Sequence, residues 1–350
     1  MDNKRNNGID LLRVILLFMI CLLHVMGHGG IKNNTTSALN FLSLYVLEDL
    51  SVCAIDCYAL ISGYFAKDKP LNYKRIIKLW ITAFFYTVII AISFYLINII
   101  FNLGYEITAT DLLHSFFPVS YGNWYFTAYF FVFFFSPIIN KAINNFNGNE
   151  CKCLLIMFIV VYSIMPLIKD NYFSKGASAC WLLVLYCIGA LIKKSNLFCN
   201  FKTLTLISLY AISCFITWLF SVYFDITFIG SHTSPSVLFS AIFLLLAFSK
   251  INIKSSIISV MSSLTFGAYL FHDNFYIREY LINDRFIFVN NYNFIIAIVL
   301  VLVIALIVFI ASLTIDFIRL NLFICLRIDN LCEKIEKLFR SYVRKIAKLI

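Results

Sequence analysis

Ten apolar runs divide this chain, and they leave it little choice of fold. They lie near residues 9–28, 43–65, 76–101, 122–141, 153–168, 179–193, 203–223, 234–250, 256–277 and 293–318. Hydrophobic residues make up 61% of the 350 and charged residues 13%, whereas a soluble domain of this length carries about 25% charge. The chain therefore reads as an all-α, polytopic membrane protein with about ten transmembrane helices. No fixed-period repeat and no long hydrophilic block is visible. Two parts are expected: a ten-helix membrane domain over 1–320 and a basic amphipathic helix over 321–350.

The net charge of +10 does not indicate nucleic acid, because the 28 Lys and Arg sit in short loops and a tail. Lys4 and Arg5 begin one set, followed by Lys67, Lys69, Lys74, Arg75 and Lys78, then Lys141 and Lys152. Lys193, Lys194 and Lys202, Lys250 and Lys254, and the tail cations from Arg319 onward complete it. Lys32, Lys169, Lys175, Arg278 and Arg285 fall on the other side. That bias puts both termini in the cytoplasm, in agreement with an even number of spans. In the tail, Ile328, Leu331, Ile335, Leu338, Tyr342, Val343, Ile346 and Leu349 recur at helical spacing with cations between them. A helix of that kind lies on the lipid of the inner leaflet. Most of the 11 cysteines lie in apolar runs, and Cys151 and Cys153 have no second pair at zinc-ligand spacing. Neither a disulfide framework nor a metal is expected. The first run has no small-residue cleavage site and reads as a retained span.

That first run carries Asp10, Arg13, His24 and His28. Eleven residues at about 100° each bring Arg13 and His24 onto one helix face, roughly 16 Å apart along the axis. Asp10 and His28 fall within about 60° of the same line. Ionisable groups within a span normally face protein or water, so one polar stripe in a greasy helix is the first candidate site. Histidine suits general-base work near neutral pH. The plain alternative is that Arg13 snorkels to the inner headgroups and His24 sits at the outer interface.

The second run holds Asp56, either a site carboxylate or half of a structural ion pair, and ends in Ser62-Gly63-Tyr64. The loop beyond clusters cations that suit either topology or a phosphorylated cytosolic cofactor. His272-Asp273 at the end of the ninth run is a second site candidate or an interfacial pair with Arg278. Trp124 is an interfacial anchor or a sugar platform, and His114 and His232 read as solvated loop residues.

These residues resemble the acyltransferase-3 family of integral-membrane acyltransferases. The resemblance rests on the D-x-x-R-x(10)-H pattern at Asp10, Arg13 and His24, on Ser62-Gly63-Tyr64, and on the basic entry Tyr73-Lys74-Arg75-Ile76. Trp124-Tyr125-Phe126 with Pro137, and TFGAYLFHDN with His272, extend it, so that it covers about residues 5–318. Where the family often has a second arginine and a proline after Arg75, this chain has Lys78 and Trp80. The resemblance implies transfer of an acyl group, usually acetyl from acetyl-CoA, to a hydroxyl of a surface glycan or its lipid-linked precursor. It also implies a multi-pass protein of a bacterial plasma membrane. His24 would be the catalytic base or transient acyl carrier, with Arg13 on the thioester or oxyanion and Asp10 or Asp56 orienting the polar chain. Arg75, Lys74 and Lys78, with Ser62 and Tyr64, would hold the acyl-CoA, and Trp124 and His272 the acceptor. A transporter or flippase of a lipid-linked glycan is the rival reading, and a homo-oligomer is left open.

Overall fold

In the computed structural model, residues 6–67, 70–167, 174–224 and 227–346 are described. Lys4, Arg5, Lys69, Lys169, Lys348 and Leu349 lie outside them. The helices in chain order are α1 (Asn7–Gly27), α2 (Ala38–Ser51), α3 (Ala54–Tyr64), α4 (Tyr73–Phe101), α5 (Ala109–Ser115) and α6 (Pro118–Tyr121). Then come α7 (Trp124–Asn145), α8 (Gly148–Ile159), α9 (Ala179–Ser195), α10 (Thr203–Trp218) and α11 (Pro235–Ser249). The chain ends with α12 (Ser256–His272), α13 (Phe275–Ile277), α14 (Phe294–Cys325) and α15 (Ile328–Ile346). Among the described residues there is no strand.

Each of the ten apolar runs coincides with helix, the second being broken into α2 and α3 at Val52–Cys53. Among the described residues, seven helical stretches are long and apolar enough to cross a membrane, and α11 and α12 are shorter apolar helices. The fold is thus all-α and polytopic, as expected. The last span runs on to Cys325 rather than stopping near 318, so the amphipathic helix begins at Ile328.

Short polar residues set where these greasy helices start. Side chains of Asn6, Asn72, Asn123, Asn147 and Asn293 accept from the first free N–H groups of α1, α4, α7, α8 and α14. Ser178 and Ser255 do the same for α9 and α12. Each cap satisfies a donor that lipid cannot.

The first span is the centre of the bundle. In its most apolar stretch 61% of residues are buried, against 22–33% in the other six crossing helices. It packs on α2, α3, α11, α12 and α14. Beside it, α3 and α9 touch backbone to backbone. A Cβ on Gly63 would lie 1.9 Å from the Tyr186 carbonyl oxygen, and one on Gly189 would lie 2.3 Å from that of Leu60. The glycine of Ser62-Gly63-Tyr64 therefore serves helix packing.

One end of the bundle gathers the basic connections. Asn6 donates to Ser249 O (3.0 Å), Lys194 to the carbonyls of Ile143 (2.8 Å) and Asn144 (2.6 Å), and Lys250 to that of Cys199 (2.7 Å). Arg319 departs from the tail reading. It is 6% exposed and forms a two-pronged pair with Asp316 on α14 (2.8 and 2.9 Å), and Tyr86 donates to the same carboxylate (2.7 Å). A lone Arg at a span's end reads as interfacial; its Asp partner three residues earlier explains the inward turn.

Candidate active site

The stripe on α1 faces the interior along its length, against α12. Near the basic end, Asp10 is 1% exposed; it accepts from Ser262 of α12 (2.9 Å) and from Arg13 (3.2 Å). The carboxylate thereby orients the guanidinium. Tyr58 of α3 donates to Arg13 O (2.5 Å). Arg13 then lines a cavity of about 640 Å³ that opens among α3, α4 and α7 and rises past Ile20 to Tyr125, Tyr129 and Tyr269. Pro137 in the middle of α7 forms part of the wall, where it costs the helix one backbone hydrogen bond.

Three turns farther along α1, His24 Nδ1 faces Asp273 Oδ1 at 3.7 Å. Asp273 caps α12, and its carboxylate also meets Arg278 (3.6 Å) and accepts from the Asn123 amide. Asn123 in turn accepts from the Tyr269 hydroxyl while capping α7. Tyr269 lines the first cavity; Asn123 and Asp273 line a second, of about 440 Å³. Trp124, Asp111, His114 and Arg278 are among the other polar groups of that second wall. Asp111 is held below the usual carboxylate range by hydrogen bonds from Thr108, which it caps. His24 itself lines neither cavity; it lies one turn beyond Ile20 of the first and faces Asp273 of the second. A hydrogen-bonded string, Tyr269–Asn123–Asp273, joins the two.

The remaining sequence-named residues divide. Ser62 and Arg75 line the first cavity, Ser62 bonded to Tyr129 (3.0 Å) and Arg75 lying over the Phe133 ring (5.1 Å). Trp124 lines the second. The others point elsewhere. Lys74 pairs with Glu333 (2.6 Å) and Lys78 with Asp329 (2.7 Å), both on α15, so the expected three-cation clamp on the donor reduces to Arg75 with Arg13 and Lys67. Tyr64 lies under Lys193 (4.8 Å), outside both cavities. His272 is 1% exposed and faces Ala268 O (2.9 Å) and Cys21, so its neighbour Asp273 is the one that reaches a cavity. Asp56 does not join the stripe. It accepts from Trp181 Nε1 (3.1 Å) on α9 and faces His232 Nδ1 (3.6 Å). His232 is thus largely covered and set against a carboxylate, rather than solvated in a loop.

Asn123, Tyr269 and the role of Asp273 were not evident from spacing. The only signal was indirect: a cap residue just before Trp124, and an Asp immediately after His272.

Fold and site together define a multi-pass, all-helical membrane protein with an internal histidine–carboxylate pair whose carboxylate lines one of two cavities. The acyltransferase-3 family model, described as an acyltransferase domain, matches residues 6–313, and the chain belongs to that family. It is a membrane acyltransferase by that membership. No curated protein and no solved structure matches it.

Proposed function

We propose that the chain transfers an acyl group, in the first instance acetyl from acetyl-CoA, to a hydroxyl of a surface glycan or its lipid-linked precursor. The observation that supports this reading is that Asp273, which faces His24, lines one cavity and is joined by hydrogen bonds through Asn123 to Tyr269 of the other. The basic end is cytoplasmic by its charge, and a cytosolic polyanion would enter the first cavity past Arg75 and Lys67. Its acyl end would reach the Ile20–Tyr269 level. The acceptor would lie in the second cavity, with Trp124 and the polar groups of Asp111, His114 and Arg278 around it.

Asp273 faces Nδ1 of His24 at 3.7 Å and, closing by less than about 1 Å, would accept its N–H and orient the ring, leaving Nε2 to take the proton of the acceptor hydroxyl. The hydroxyl oxygen attacks the thioester carbonyl carbon, the C–S bond breaks, and the proton held on His24 goes to the departing thiolate. Arg13, about 16 Å down the helix from His24, is too far to hold the oxyanion. Its place is on the donor's polar body, with Asp10 and Ser262 fixing it.

The test is acyl transfer by protein reconstituted in vesicles, with acyl-CoA outside or inside and the acylated glycan read by mass spectrometry. Wild-type protein should form ester and free CoA in equal amounts, and His24→Ala, with unchanged insertion, should form neither. Ester formation by His24→Ala would remove His24 from the reaction; glycan movement without new ester would favour a flippase.

A further inference from the structure

We propose that His24, His28 and Asp273 form a binding site for one divalent transition-metal ion of the zinc class, and that an ion there silences the acid–base pair. The silencing rests on the reading of His24 given above; the binding does not. His24 and His28 are four residues apart on α1, so their imidazoles leave one face a turn apart, with ring centres 5.2 Å from each other. The end of α12 presses Asp273 against both. One donor atom from each of the three lies within 4.8 Å of the other two. His24 Nδ1 has no hydrogen-bond partner among the described residues, so a ligand there displaces no hydrogen bond.

Zinc bonds of about 2.0–2.1 Å separate tetrahedral neighbours by roughly 3.3 Å, and side-chain rotation of about 1 Å closes this set onto one ion. Two imidazoles and a carboxylate suit zinc and leave its fourth position to water. The second oxygen of Asp273 accepts from Asn123, the kind of outer contact that orients a ligating carboxylate. His272, the other ring beside His24, has Nδ1 turned to Ala268 O and stays outside the set.

Arg278 opposes the ion. Its Nη1 lies 3.6 Å from the same Asp273 oxygen that faces His24, and as a third-exposed side chain it must swing aside when metal enters. That competition gives the site a signature. Removing His28 should weaken the metal, whereas removing Arg278 should tighten it.

The experiment uses the full chain in detergent with its exposed cysteines alkylated, titrated with Co²⁺ and then with Zn²⁺ in competition. One equivalent should bind with the visible spectrum of nitrogen and oxygen ligation and without a thiolate charge-transfer band. His28→Gln should weaken binding at least tenfold and Arg278→Gln should tighten it several-fold, a gain that misfolding cannot mimic. No saturable equivalent, or an affinity indifferent to both changes, would overturn the site. Zn²⁺ should also inhibit acyl transfer, less so in His28→Gln. One bound equivalent with full turnover would keep the metal site, but would refute the silencing and, with it, His24 as the base.

Discussion

Among the described residues, two histidine–carboxylate pairs have nearly equal geometry but different surroundings. His24 faces Asp273 at 3.7 Å and His232 faces Asp56 at 3.6 Å, with histidines 18% and 20% exposed and carboxylates 5% and 0%. What separates them is access. Asp273, though not His24 itself, lines a cavity and is joined through Asn123 and Tyr269 to another; Asp56 is closed in by the Trp181 indole, and neither cavity touches it or His232. A buried acid–base pair is a candidate for catalysis only where a reacting atom can reach it. By that standard the first pair is the candidate for chemistry, and the second ties α3 to α9 and to the loop before α11.

The largest effect should come from breaking the first pair. His24→Gln and Asp273→Asn should lower turnover by roughly 10²–10⁴, the usual contribution of a positioned general base, with thermal unfolding in detergent nearly unchanged. Asp56→Asn and His232→Gln should leave turnover per folded molecule within a few-fold. An equal loss from Asp56→Asn would erase the distinction between the pairs.

That contrast also marks what the residues alone could tell. Ten apolar runs, the basic loops and the inward face of Asp10–Arg13–His24 were legible, because helix periodicity and the cost of charge in lipid are local rules. The partners of those residues were not. Asp56 and His24 both look like isolated polar groups in greasy runs. Only packing of elements over a hundred positions apart gives Asp56 to Trp181 and His24 to Asp273. Likewise Lys74, Arg75 and Lys78 form one cluster in sequence, yet α15 takes the two lysines and leaves Arg75 to the cavity. The tail helix, legible by its period, had no signal of the α4 face it docks on.

On the donor side, Arg75→Gln should raise the KM for acyl-CoA by about 10–100-fold, the loss of one charge-assisted contact, while Lys78→Gln should hardly move it. Equal effects from both would return Lys78 to the donor site. For the second pair, Trp181→Phe removes a donor from a buried carboxylate and should cost about 1–3 kcal/mol of stability, read as a lower unfolding temperature without loss of specific activity.

The smallest effect concerns α15. Lys78 beside Asp329 holds that carboxyl below its usual range, so the pairing contributes at neutral pH and is lost as pH falls through the depressed folded-state value. The pair is exposed and screened, so it contributes no more than about 1 kcal/mol. Amide protection factors in α15, corrected for the intrinsic exchange rate at each pH, should fall modestly in acid, and less so in Asp329→Asn. Protection independent of pH in both proteins would show that apolar contacts such as Tyr73–Phe339 alone hold the helix.

The most direct measurement compares Asp273→Asn with Asp56→Asn in one reconstituted preparation, following CoA release and glycan ester together. Asp273→Asn should lose both products by two orders of magnitude or more while Asp56→Asn keeps them. Turnover surviving in Asp273→Asn, or vanishing only in Asp56→Asn, would contradict the role given to the first pair.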